Sequence, residues 1–599
     1  MAPEGYDFTI VGGGLAGLVL ATRLSEDPNA SVLVIEAGEE MGNDPRVKTP
    51  AMWAALLNSS ADWSLKTVPQ EGLGGREIQF SIGHLVGGSS ALNGLSFGAT
   101  SKANIDAWAA LGNPGWDWSN LIRAVKKSYT LTLPSGEVVG SGPLQVVYPD
   151  EDDGWPQLWR DTISALGFRG TNDPFSGEVC GALTVPDTIQ PSTRHRSFAG
   201  NAYLELATGR PNLTVWSNTV VEKILFDKGH DGVVATGVQY TKDGKTQTVK
   251  ALKEVIITAG TIHSPKILEL SGIGDKNRLE SLDIEVVIDN PHVGENLQNH
   301  PMCSLNFEVI DREGFETMDN LTRGDPDALA AATEAYSRHK GALARSNANH
   351  AAQLPFPGIK SDGQVDSILK SLESISPEPP LGNTTAEFAQ EHKSFVHSVL
   401  RSPTEASACY LSFPGFTRFN VDGTRASARE LQGTESYFSI VLLLAHPLSR
   451  GSVHIQSSSS SAPPAVDPKY LTHPLDLEVL AHHIKYVETI LATEPLASHI
   501  KPGGKRNPSA PPSSGSFTDL DNARKYARET SVGAAHYTGT CSMMPRDKGG
   551  VVSPQLRVYG CSNLRVCDAS IIPITPRTNP QATVYGIAEL AAEIIKARL

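Results

Sequence analysis

The chain has 599 residues, 40% hydrophobic and 19% charged, which is ordinary globular composition with length for more than one core. Its formal net charge of −14 argues against a nucleic-acid surface, since phosphate binding needs clustered Lys and Arg. No apolar run approaches the roughly 18 residues of a membrane helix; Ile440 to Ala445 is strand-sized.

Met1 to Gly5 carries neither a basic nor an apolar leader segment, so the expectation is a cytoplasmic protein, or a secreted one if a leader has been removed. Phe8 to Val11 reads as a strand. It runs into Gly12-Gly13-Gly14-Leu15-Ala16-Gly17, after which Leu15 to Leu24 has helical spacing. Ser31 to Ile35 is a second strand, with Glu36 at its end. Gly12 suits the tight turn, Gly14 lets backbone approach a pyrophosphate, and Gly17 lets helix and strand pack. The helix N-terminus offers free N–H groups to that pyrophosphate. Glu36 stands where a carboxylate accepts from a ribose 2′-OH and repels a 2′-phosphate. The motif alone does not separate NAD from FAD.

Residues 39 to 82 are loop-rich, with Asp62-Trp63 their aromatic feature. Gly83 to Gly94 is a second glycine-dense stretch, followed by Leu95-Ser96-Phe97. By itself it reads either as backbone laid against a ligand or as a plain surface turn. Ile105 to Trp118 holds a short helix stopped at Gly112. Val220 to Phe226 and Val233 to Tyr240 form a meander, and Glu254 to Ala259 is a buried-type strand before a helix at Ser264 to Leu270. From about Asp311 to Leu431 no motif stands out. His499 to Ser516 reads as a linker, and Thr518 to Asp521 as a capping box for a helix ending near Thr530. The six cysteines make no disulfide framework, no His/Cys/Asp spacing suggests a metal, and Ser89-Ser90 lacks a nucleophile-elbow pattern. A second G-x-G-x-x-G is absent, which points to one dinucleotide with electrons coming from the substrate.

These residues make the chain resemble the glucose–methanol–choline family of FAD-dependent oxidoreductases, fungal members above all. Gly260 to Gly274 (GTIHSPKILELSGIG) fits the family's second signature throughout. Gly83 to Phe97 fits the first more loosely, with His84 where a basic or amide residue is usual and Thr100 where a small one is. Val293 to His300 matches except that Asn299 replaces the usual Asp, and the C-terminal block matches closely. The resemblance implies an α/β fold: a Rossmann-like FAD-binding domain at 1–305 plus 525–599, and an antiparallel-sheet cap at 306–524 that selects the substrate. It implies FAD, with Gly12, Gly14, Leu15, Ala16 and Gly17 at the pyrophosphate and Glu36-Ala37 at the adenosine ribose. Val221 would hold the adenine through its backbone, and Asn93, Gly94, Leu95 and Ser96 would line the flavin. Asp568, Ala569, Pro580 and Gln581 would contact the ribityl chain and ring, and Trp63 and Ser89 complete the cofactor set. Some relatives bond flavin through a histidine where this chain has Leu92, so FAD is expected without a covalent bond.

Oxidising an alcohol needs a base for the hydroxyl proton as the hydride leaves. The family places one in His-x-x-Gly-Thr, here His536 to Thr540, and His or Asn at a second position, here Asn579. Asn579 can fix the substrate oxygen but cannot titrate, which leaves His536 as the sole base of the pair. His84, His300, His350 and His446 carry no assigned role, and Cys541 reads as a small buried filler. The expected reaction is oxidation of a primary or secondary alcohol, on a hydrophobic or aromatic substrate in fungal small-molecule biosynthesis. O2 or another acceptor would reoxidise the flavin. Two alternatives stay open: a non-redox relative (cyclase, lyase or photodecarboxylase), and a flavin-binding protein without catalysis.

Overall fold

The computed structural model describes residues 5–151, 153–171, 173–229, 232–357, 363–375, 384–426, 433–507 and 516–597. The apolar run before the glycine turn forms the strand Gly5–Val11, in which Phe8, Ile10 and Val11 are buried. Val32–Ile35 and then Leu213–Trp216 lie parallel on one side of it. The second half of Lys245–Ile257 and then Leu564–Val566 lie parallel on the other. A parallel strand covered on both faces reads as an unbroken apolar run, and Val32–Ile35, buried throughout, does so. The first half of Lys245–Ile257 turns outward to pair antiparallel with Gly232–Lys242, which pairs with Thr219–Gly229. Helices Leu15–Leu24 and Gln581–Lys596 pack on each other in the same core, so the last helix of the chain closes over the first.

A second sheet of six antiparallel strands runs in the order Val532–Gly533, Pro301–Glu308, Tyr437–Leu444, Ala408–Phe413, His350–Leu354, Gly181–Thr184. Alternation sends Leu305, Phe307, Phe438, Ile440, Leu442 and Tyr410 to one face, where helices Trp155–Ala165, Pro474–Leu491 and Leu520–Thr530 cover them. The other face carries Leu183, Ala351, Cys409, Val441 and Leu443. The architecture is thus a Rossmann-like α/β domain joined to an antiparallel-sheet domain.

Residues outside 306–524 contribute to the second sheet: Gly181–Thr184, the start of Pro301–Glu308, Val532–Gly533 and the helix Trp155–Ala165 beneath it. Edge strands of four and two residues carry too little apolar pattern to be told from loops. The stretch from Asp311 to Leu431 supplies two inner strands, His350–Leu354 and Ala408–Phe413. The helix Leu520–Thr530 is capped by Asp519, whose side chain accepts from Asp521 N–H at 3.1 Å, so the capping box expected from Thr518 is replaced by a single aspartate cap. Of the expected linker, residues 508–515 lie outside the described residues. Among the described residues no helix is long and apolar enough to cross a membrane.

Candidate active site

The glycine turn is built as tightly as its sequence implies. Gly12 has φ +107°, and a Cβ on Gly17 would lie 2.0 Å from the Gly12 carbonyl oxygen. Gly14 differs: its φ is −75° and the atom nearest to an added Cβ, Gly88 Cα, is 3.9 Å away. No side chain caps the helix that follows, so its first N–H groups are left for a ligand. Glu36 is buried, with Oε2 accepting from Gly13 N–H at 2.7 Å and Oε1 from Gly38 N–H at 2.8 Å. Burial pushes its carboxyl up to about 7 against the pull of those backbone bonds. Thr219 N–H donates to the Glu36 carbonyl at 2.9 Å, which lays the strand carrying Val221 beside Glu36 and half-buried Ala37. Trp63 makes tilted ring contacts with His84 and His263, each ring centroid 4.2 Å from its own.

The second glycine stretch is part of the same site. Gly87 N–H donates to the Gly13 carbonyl at 2.8 Å, and a Cβ on Gly88 would stand 2.8 Å from Gly14 Cα. Gly83 to Gly94 is therefore backbone packed on the dinucleotide turn, and the surface-turn reading falls. Asn93 Oδ1 accepts from Leu95 N–H at 3.0 Å and from Arg196 Nη1 at 2.9 Å, while its amide donates to Gln581 Oε1. This turn sets Leu95 at φ +65° and carries Gly94, where a Cβ would meet nothing within 4 Å, and Ser96. Exposed Ser89 accepts from Gly83 N–H at 3.1 Å. Leu92 is buried among Val47, Leu56 and Phe198 and offers no nucleophilic atom.

The two long signatures meet through Asp568 and the His536 motif. Asp568 Oδ2 accepts from Gly260 N–H at 2.9 Å and Ser264 Oγ at 2.6 Å, and Oδ1 accepts from Ser570 N–H at 2.8 Å. Thr261 Oγ1 donates to the Tyr537 carbonyl at 2.8 Å, Thr540 Oγ1 donates to the Thr261 carbonyl at 2.5 Å, and Gly539 N–H donates to the Ala569 carbonyl at 3.3 Å. The second signature thus holds the segment that carries the histidine. Pro580 is the N-cap residue of the helix that Gln581 opens.

His536 is buried, and its backbone N–H donates to Asn299 Oδ1 at 2.9 Å. Asn579 Nδ2 lies 2.8 Å from His536 Nε2 and donates to it. His536 Nδ1 lies 2.8 Å from Nδ1 of buried His300. Burial holds the His536 imidazole well below the usual histidine range, so it is neutral at pH 7. A neutral imidazole with a lone pair beside an amide donor can take a proton from a hydroxyl while the amide holds the oxygen. Among the described residues no group of three or more His, Cys, Asp or Glu could hold a metal ion. Sequence reasoning left out His300 and Arg196. His300 ends the Val293–His300 motif, the one available signal, but nothing local reveals that its ring meets one 236 residues onward. Arg196 lies in no motif.

A Rossmann-like domain with a glycine turn, an acidic strand end and a buried histidine beside a half-buried asparagine, joined to an antiparallel-sheet domain, defines a flavin-dependent oxidoreductase. The chain belongs to the GMC oxidoreductase family, whose N- and C-terminal sequence models match residues 6–302 and 447–588. It is 35% identical to "Dehydrogenase citC" of Monascus ruber over 612 residues, covering 99% of this chain and 96% of the relative. Among solved structures it is similar to an FAD-dependent oxidoreductase from Chaetomium thermophilum, with TM-score 0.87, 29% identity and 99% of both chains covered. It is also similar to a fungal aryl-alcohol oxidase, with TM-score 0.83, 26% identity and 100% and 99% covered. FAD fits the residues present: open space at Gly14 and Gly94, an uncapped helix N-terminus, and a buried Glu36 carboxyl at the strand end.

Proposed function

We propose that this protein oxidises a primary or secondary alcohol to an aldehyde or ketone, with FAD held without a covalent bond. The observation that carries the reading is the His536–Asn579 pair, 2.8 Å apart, with His536 neutral. FAD, when bound, supplies an acceptor for the hydride that leaves the carbinol carbon. His536 Nε2 takes the hydroxyl proton, and the O–H electron pair becomes the second bond of the carbonyl. Asn579 Nδ2 donates to the oxygen as negative charge builds on it, and being an amide it stays neutral throughout. Once the proton is on Nε2, His536 Nδ1 still faces His300.

The cap supports a hydrophobic substrate. On its helix-covered face Leu305, Ile440 and Leu442 are 0% exposed, whereas on the other face Leu183, Cys409, Val441 and Leu443 retain 6–9%. Ala534, two residues before His536, packs against that second face. An apolar surface that keeps some exposure beside the base is what an aliphatic or aromatic alcohol would occupy. The likeness to fungal dehydrogenases supports a place in fungal small-molecule biosynthesis, with O2 or another acceptor taking the electrons. The test is anaerobic absorbance of the FAD-loaded protein against benzyl alcohol, a long-chain primary alcohol, a secondary alcohol and formate. Bleaching by an alcohol is expected, and readmitted air then reports on O2. Bleaching by formate alone, or by nothing, overturns the reading.

A further inference from the structure

We infer that His300 is a positioning residue, accepting a hydrogen bond from His536 Nδ1–H and thereby fixing the tautomer whose Nε2 lone pair faces Asn579. The inference rests on the proposed role of His536 as base. Two imidazole nitrogens 2.8 Å apart cannot both carry protons in neutral rings, nor can both be bare. The direction of the shared proton is set at the far side of His536. There Asn579 presents its amide nitrogen, which only donates, so Nε2 is the acceptor. Neutral His536 then carries its proton on Nδ1, and His300 Nδ1 receives it. His300 then carries its own proton on Nε2, a buried nitrogen with no hydrogen-bond partner of its own among the described residues.

The surroundings keep His300 in the neutral form that this requires. Burial holds its imidazole down at about 4. Buried His446 is the titratable group behind it, with Arg577 and Arg450 acting on His446 in turn. Glu405 faces Arg577, and Asp476 acts on Arg450. Asn299 adds a second restraint from the same motif, since its Oδ1 accepts from the His536 backbone while its amide donates to the Tyr470 hydroxyl at 2.5 Å. Val293–His300 therefore grips the base twice, once by backbone and once by ring.

The experiment is nitrogen NMR of 15N-histidine-labelled, FAD-loaded protein, with His536 assigned by its loss in His536→Gln. At pH 7 the expected pattern is Nδ1 protonated and Nε2 bare; the reverse overturns the inference, because it would mean that Asn579 turns its oxygen to Nε2. Three variants extend the test through the rate of anaerobic flavin reduction by the best alcohol of the panel. His300→Asn puts an amide oxygen near the place of Nδ1 and keeps the tautomer, the rate within a few-fold and the acid limb of the pH profile. His300→Asp places a carboxylate there and moves that limb up by about 1–3 pH units, the range for an adjacent opposite charge. His300→Leu removes the acceptor and slows reduction by about 10-fold, on the order of one lost buried hydrogen bond. Equal damage in Asn and Leu, or an unmoved limb in Asp, overturns the inference; if Leu does not fold, Asn and Asp decide. Failure of the proposed function would show separately, as His536→Ala reducing its flavin at the wild-type rate.

Discussion

Gly14 and Gly17 are three residues apart and should fail in opposite ways when changed to alanine. At Gly14 the backbone is already at φ −75° and the new methyl has no protein atom closer than 3.9 Å. The folded protein without FAD should keep its stability within about 1 kcal/mol, as a small unfolded-state gain offsets a slightly poorer N-cap. The methyl instead fills the space through which the pyrophosphate reaches the helix N–H groups. Losing one or two charge-assisted hydrogen bonds of about 1.5–3 kcal/mol each weakens FAD by at least 10-fold. At Gly17 the methyl would lie 2.0 Å from the Gly12 carbonyl oxygen and 2.7 Å from Thr258 Oγ1. Helix and strand must separate there, a repacking that costs about 1–3 kcal/mol before any ligand is added. FAD titration by fluorescence quenching and thermal unfolding with and without FAD measure both quantities. If Gly14→Ala binds FAD as wild type does, the dinucleotide placement is wrong; if Gly17→Ala melts as wild type does, the packing argument is wrong.

Acid precipitation should release all the flavin to the supernatant, since Leu92 offers no atom to bond it; yellow colour left on the pellet would refute non-covalent binding. His483 is buried neutral between Ser407 Oγ and the Tyr410 hydroxyl, and burial holds it down at about 3. The unfolded chain binds a proton there near pH 6.5 and the folded chain does not, so this site's stability is full above 6.5 and is lost as pH falls towards 3. Between pH 7 and 4.5 wild type should therefore lose about 2.7 kcal/mol more than His483→Gln in urea unfolding, at ~1.4 kcal/mol per unit below 6.5. Equal losses would show that His483 is not held neutral. If the substrate lies against the cap-sheet face that carries Cys409, as proposed, Cys409→Phe should raise KM for bulky alcohols more than for small ones in steady-state assays, because the added ring takes space on that face.

The nucleotide half was legible because its constraints are local. A strand, a turn that admits only glycine at two positions and a capless helix leave a pattern within 20 residues, and the neighbouring strand Val32–Ile35 reads as an apolar run. The proposed base was legible through its motif, His536 to Thr540, and Asn579 through the family likeness of Thr578-Asn579-Pro580. The cap was less so. Its inner strands alternate between a helix-covered face and an opposite face that are both apolar, as at Cys409, Tyr410 and Leu411, so no polar alternation marks them. The Asn93–Gln581, Asp568–Gly260 and His300–His536 bonds join residues more than 200 positions apart, and no sequence window contains them.

The most direct test of His536 as the base is His536→Ala with FAD bound, mixed anaerobically with the alcohol that best bleaches wild type. Loss of a positioned general base predicts flavin reduction slowed by about 10²- to 10⁴-fold with FAD content unchanged. Reduction at the wild-type rate would contradict the account.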